Sequence, residues 1–135
     1  MTSTSPTARR SSAPPVYNLR SEGRNFPGRR CLAIADGFYE YTTPADPKQK
    51  RKDRWRFTPA AGGLLGIAAL VRASPAVGEA FTLLTAGPGS DVAPYHQRQI
   101  VLLNPSDWAG WLDDSIFSNE LLRPSPEGFL AVERA

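Results

Sequence analysis

The stretch Arg29-Arg30-Cys31-Leu32-Ala33-Ile34-Ala35-Asp36-Gly37-Phe38-Tyr39-Glu40-Tyr41 constrains the fold more than any other part of this chain. Two apolar runs of strand length flank an Asp-Gly turn signal, a pattern that predicts a tight reversal between two strands. Alternation along the second strand puts Phe38 and Glu40 on one face and Tyr39 and Tyr41 on the other. A carboxylate beside Phe38 either faces water or is buried for a purpose. If buried, it resists ionisation, and its pKa rises toward the range useful for proton transfer.

The 135 residues bound the answer to one domain. The longest apolar run, Leu64 to Val71, has the length of a strand and falls far short of a membrane helix, and no apolar region follows Arg9 and Arg10 to make a secretory signal. A single cysteine allows no internal disulfide, which fits a reducing cytoplasm. The net charge of +3 hides an asymmetry: twelve of the 16 lysines and arginines lie in residues 1–56 beside only five acids. Aromatic residues are interleaved there (Tyr17, Phe26, Phe38, Tyr39, Tyr41, Trp55, Phe57), a combination suited to a polyanion with exposed bases, meaning single-stranded nucleic acid. Taken alone, Lys48 to Arg54 reads more simply as a solvated basic loop.

Residues 1–15 are low-complexity Ser/Thr/Pro/Arg sequence, expected to form a disordered tail before a domain at 16–135. Beyond the strands around Asp36-Gly37, strands are expected at Arg54–Thr58, Leu64–Val71, Phe81–Thr85, Gln99–Leu103 and Phe129–Val132. Leu64–Val71 is expected to be central and Phe81–Thr85 buried. Ser90-Asp91 reads as the cap of a helical turn through Tyr95. Asn104-Pro105-Ser106-Asp107 is a helix start, followed by Trp108, Trp111 and Leu112 as one buried face; Ser118 to Leu122 suggests a further short helix. The expected class is α+β: an antiparallel, barrel-like sheet with a few short helices.

Few residues are suited to chemistry. His96, the one histidine, falls on a loop between strands two residues before Arg98, and is the chain's one side chain that ordinarily titrates near neutrality. In Asn18-Leu19-Arg20-Ser21-Glu22, alternation places Asn18, Arg20 and Glu22 on one face, where Arg20 suits a phosphate and Asn18 a reacting group; an ordinary polar edge strand has the same spacing. Cys31 with His96 suggests a thiol hydrolase, against the simpler reading of a small buried hydrophobe. No cluster has metal-ligand spacing and no phosphate-binding glycine loop is present, so no metal and no cofactor are expected.

Five motifs in register, Asn18-Leu19-Arg20-Ser21-Glu22, Arg29-Arg30-Cys31-Leu32, Ala35-Asp36-Gly37-Phe38-Tyr39-Glu40, Phe81-Thr82-Leu83-Leu84-Thr85 and Ala93-Pro94-Tyr95-His96-Gln97-Arg98, resemble the SRAP family of SOS-response-associated peptidases, or abasic-site-processing proteins. The resemblance runs from about Val16 to the C-terminus. It implies a β-rich domain that binds single-stranded DNA and captures abasic sites. In that family, autocatalytic removal of the initiator Met or a propeptide exposes an N-terminal cysteine. The cysteine's amine and thiol close a thiazolidine crosslink on the ring-opened sugar. By position, Glu40 matches the catalytic glutamate of proton transfer, His96 the histidine of sugar ring opening and crosslink reversal, and Asn18 the asparagine that positions the N-terminal residue. Arg20, Arg98 and Thr85 match DNA-contacting positions. The implied partner is single-stranded DNA with abasic sites, met by a monomer in the cytoplasm, nucleoid-associated when bound, without membrane or metal.

The chain departs from this pattern at its start, which reads Met1-Thr2-Ser3, with no cysteine before Cys31. Cys31 matches the strand cysteine of relatives and not their nucleophile. The sheet is therefore expected to be incomplete on its N-terminal side, and Gln99-Ile100 stands where many relatives have Met-Pro. Three readings follow: an SRAP protein without its crosslinking nucleophile, a non-catalytic single-stranded DNA-binding module, and a Cys31–His96 hydrolase.

Overall fold

The computed structural model describes residues 18–75 and 78–135; the tail expected at 1–15 lies outside them. Among the described residues nine strands form two sheets. They are β1 (Asn18–Arg20), β2 (Arg30–Ala35), β3 (Phe38–Thr42), β4 (Asp53–Pro59), β5 (Leu65–Ser74), β6 (Gly78–Ala86), β7 (Gln99–Ile100), β8 (Leu102–Leu103) and β9 (Leu130–Arg134). The larger sheet runs β1-β6-β5-β2, with β7 against β6 and β8 against β5; the smaller runs β3-β4-β9. A 3-10 turn at Pro105–Asp107 leads into α1 (Trp108–Leu112), and α2 is Ser118–Leu121. Asn104 caps the turn as expected, its side-chain oxygen accepting the Ser106 amide.

The expected antiparallel barrel is not formed. Closure requires every strand to have neighbours on both sides. Among the described residues β1 pairs only with β6 and β2 only with β5, so the large sheet is open there, and the β1–β6 pair is parallel. The reversal expected at Asp36-Gly37 is also different in kind. β2 pairs with β5 while β3 pairs with β4, so the Asp-Gly step carries the chain from one sheet to the other and joins no hairpin. Gly37 is needed there because a Cβ would lie 2.7 Å from the Phe57 carbonyl oxygen.

Alternation along the strands of the large sheet produces two cores. Ala68, Leu70, Leu84, Ala86, Val101 and Leu103 face the helices and meet Phe26, Trp111 and Leu121. Leu65, Ile67 and Leu102 face the other way, toward Phe57, Val92 and Leu130 of the small-sheet side. Leu64–Val71 is central as read, since β5 pairs with β2, β6 and β8. Phe81 departs from expectation: it is 57% exposed, in the first half of β6, where Gly78 to Phe81 all face water. Leu112 likewise faces water, because α1 spans little more than one turn and Trp111 alone of its residues is buried.

Candidate functional site

Glu40 and His96 meet between the sheets. Glu40 lies on the inner face of β3 opposite Trp55 of β4, with 18% of its side chain exposed. His96 ends the turn that follows β6. Tyr95 beside it anchors that turn to the small sheet, its ring 4.9 Å from Trp55 and edge-on to Phe57 at 5.4 Å. Buried Val92 fixes the turn from below. Asp91, expected as a helix cap, instead accepts the amides of Gly128 and Leu130, both at 3.0 Å, and ties the turn to β9. His96 Nε2 then stands 3.7 Å from Glu40 Oε1. Burial pushes the Glu40 carboxyl above its ordinary value, and the nearby imidazole works against that rise. The raised pKa expected of a dry glutamate is therefore present.

The other ring nitrogen also has its partners. Nδ1 lies 3.1 Å from the amide nitrogen of Arg98 and 2.9 Å from its carbonyl oxygen. The amide donates to Nδ1 when that nitrogen is bare, and the carbonyl accepts from it when the ring is protonated. His96 thus keeps a hydrogen bond in either state, an arrangement suited to moving a proton.

Arg98 is held as a fork. Its two terminal nitrogens bond the two oxygens of Glu22, the second at 3.0 Å, and the same nitrogen reaches Thr85 Oγ1 at 2.8 Å. The guanidinium holds the Glu22 carboxyl down to about 2. Arg98 and Thr85, read as DNA contacts, are therefore already engaged with the protein. Glu22 was visible in the sequence as part of a polar cluster, but nothing in its spacing pointed to a partner 76 residues away. Gln99 was missed altogether: it is buried beneath the turn, accepting the Gly89 amide at 2.9 Å and donating to Ser125 Oγ at 3.0 Å.

Asn18 and Arg20 are exposed on β1, in register with Leu83 and Thr85. They lie on the sheet face that also carries the Glu40–His96 pair, yet neither side chain bonds to that pair among the described residues. Cys31 sits inside β2 opposite Ala69, its thiol pushed up by burial. A shallow groove of about 240 Å³ passes it, lined by Leu32, Ala33, Val71, Glu79, Ala80 and Phe81, with no histidine. The Cys31–His96 hydrolase has no structural basis here. Among the described residues no group of His, Cys, Asp and Glu is arranged to hold a metal ion, and no helix is long and apolar enough to cross a membrane.

The outer face of the small sheet carries a different chemistry. Tyr39 and Tyr41 are about half exposed, and the Arg54 guanidinium lies 4.9 Å from the Tyr39 ring centre. A groove of about 560 Å³ beside them is lined by Tyr41, Arg51, Lys52, Arg54 and Arg134, among others.

Comparison with known proteins places these features in context. Residues 16–134 match the family model described as SOS response associated peptidase (SRAP). No curated protein matches. Among solved structures, a Bordetella bronchiseptica protein superposes with a TM-score of 0.63 at 26% identity, over 79% of this chain and 55% of that one. A Bacteroides thetaiotaomicron protein gives 0.71 at 14% identity, over 87% and 57%. A phage-related protein from Bordetella bronchiseptica gives 0.67 at 22%, over 93% and 66%. The chain thus spans between about half and two thirds of the length of these solved chains.

Proposed function

Because this chain belongs to the SRAP family of SOS-response-associated peptidases, we propose that it is a single-stranded DNA-binding module that presents the Glu40–His96 pair to an abasic sugar. The observation that carries the reading is that pair: a half-dry carboxyl and an imidazole 3.7 Å apart, with Asn18 and Arg20 exposed on the same side of the large sheet. An abasic sugar offers one anomeric hydroxyl where a base would stand; a carboxyl next to an imidazole can take that hydroxyl's proton and return one to the ring oxygen, so that the C1′–ring-oxygen bond breaks and the aldehyde forms. Arg20, which has no partner among the described residues, supplies a guanidinium for a phosphate. The Arg54–Tyr39 stack, with Tyr41 and the basic groove beside it, suits flanking bases and backbone.

Covalent capture is a separate matter. The family's crosslink needs a cysteine with a free amine, and Cys31 is an internal strand residue with a raised thiol pKa. No covalent step is therefore routed through Cys31, and the interaction proposed for the Glu40–His96 side is non-covalent binding. If a thiol-bearing terminus is supplied, the same pair is suited to deprotonate the amine and assist ring opening, which is the finer reading of the family's chemistry.

Fluorescence anisotropy with single-stranded oligonucleotides, intact and abasic, tests this directly, together with a denaturing gel. Binding that weakens steeply with salt and leaves no denaturation-resistant band is the expected result. Absence of any binding would remove the DNA-binding function. A resistant band would restore crosslinking by this chain, and its loss in Cys31→Ser would assign it to that thiol.

A further inference from the structure

We infer that Glu22 is the positioning residue for His96, acting through Arg98 by clasping both ends of the turn that carries the imidazole. The inference rests on reading Glu40 and His96 as the working pair, and it concerns what keeps them aligned. The turn leaves β6 at Gly87 and enters β7 after Arg98. Glu22 Oε2 accepts the Gly87 amide at 3.1 Å, at the first end. Both Glu22 oxygens hold the Arg98 guanidinium, at the second. Thr85 adds a third contact to that guanidinium, from the strand in register with Arg20.

The consequence passes to the ring through the Arg98 backbone. Its amide nitrogen and carbonyl oxygen are the two groups facing His96 Nδ1. Fixing the Arg98 side chain fixes that peptide orientation. The amide then selects the neutral tautomer with its proton on Nε2, directed at Glu40. Among the described residues, Glu40 is the acidic group within ion-pair distance of the ring. Glu22 itself touches neither Glu40 nor His96, so its action is positional. Because Glu22 stays ionised across the range where Glu40 changes charge, the clasp does not open when the site titrates.

His96 is the chain's one histidine, so its ring nitrogens are a unique probe. Long-range proton–nitrogen correlation spectra of the full labelled chain, taken at alkaline pH, read the tautomer ratio without any DNA. In the wild type the Nε2–H form is expected to dominate. In Glu22→Gln, which keeps one acceptor oxygen but removes the charge and the fork, the ratio should fall about fivefold, the weight of one intramolecular hydrogen bond. Arg98→Lys keeps the charge without the fork and should show a similar fall. Glu22 is half exposed, so these substitutions leave both cores intact, and dispersion of the amide spectrum verifies folding. An unchanged ratio in either folded variant overturns the proposal. Since the readout needs no oligonucleotide, failure of DNA binding in the anisotropy experiment is a distinct result.

Discussion

The two faces of the large sheet each organise an arginine, and the two arginines are used in opposite ways. On the helix side Arg30 has 2% of its side chain exposed. Its Nε reaches the Phe26 carbonyl at 2.7 Å and the Asp114 carboxylate at 3.0 Å. One terminal nitrogen bonds the Ile116 carbonyl at 2.8 Å, the other Ser118 Oγ at 3.1 Å. The guanidinium also lies 4.4 Å from the Trp111 ring centre. On the other face Arg98 keeps 23% of its side chain exposed and hangs on one carboxylate and one hydroxyl. A buried cation with all three nitrogens engaged joins chain segments; a half-buried one in a single fork orients its neighbours. The same residue type therefore serves stability on one face and site geometry on the other.

The sharpest way to break this contrast is to truncate each arginine. Arg30→Ala leaves the carbonyls of Phe26 and Ile116 without their donor in a closed core, while Ser118 Oγ keeps the Phe26 amide. With two carbonyls left unsatisfied there, it is expected to cost about 2–5 kcal/mol, read as a fall in the denaturant midpoint. Arg98→Ala removes a partly exposed pair and should cost under about 1 kcal/mol in the same measurement. Equal losses would mean that burial does not separate the two roles.

Gly37 tests the junction between the faces. A methyl group there would meet the Phe57 carbonyl at 2.7 Å and Thr58 Cγ2 at 3.1 Å, so β3 must shift from β4. Gly37→Ala should cost about 1–3 kcal/mol in chemical denaturation. The shift carries Glu40 with it, so the His96 ring signals should move as well. A loss of stability with unmoved ring signals would uncouple the junction from the site.

The contrast also explains what could be read from the chain alone. β4, β5 and the Asn104 cap were legible because alternation, apolar run length and a capping side chain act within a few residues. Glu40 was legible for the same reason: its neighbours on β3 reveal its face. Sheet membership was not. Asp36-Gly37 has the composition of a hairpin turn, but whether the strands on either side pair with each other depends on β4 and β5, far away in sequence. Arg30 misled in a related way. It counted toward a basic half suited to nucleic acid, whereas its charge is spent inside the protein on Asp114 and backbone carbonyls. Net charge records no burial. The Glu22–Arg98 fork was equally hidden, since opposite charges many residues apart carry no mark of being partners.

The smallest expected effect compares two glutamates within the site. The Arg98 fork holds Glu22 at about 2, below its ordinary 4.5, so the folded state releases this proton more readily than the unfolded chain. Its stabilisation is complete above about 4.5 and is lost as pH falls toward 2. Burial raises Glu40 above the same 4.5, so the folded state holds that proton more tightly. Its contribution is present below 4.5 and is lost as pH rises through the raised folded value, leaving a charged carboxyl in a half-dry site. The two groups thus tilt stability in opposite directions across adjoining pH windows. Denaturant midpoints measured over a pH series should show a shallower acid limb in Glu22→Gln. In Glu40→Gln the decline toward neutrality should flatten, with a small gain in stability at neutral pH. That gain would mark Glu40 as a residue kept at some cost to the fold, and a loss at neutral pH would instead make its ionised form part of the packing.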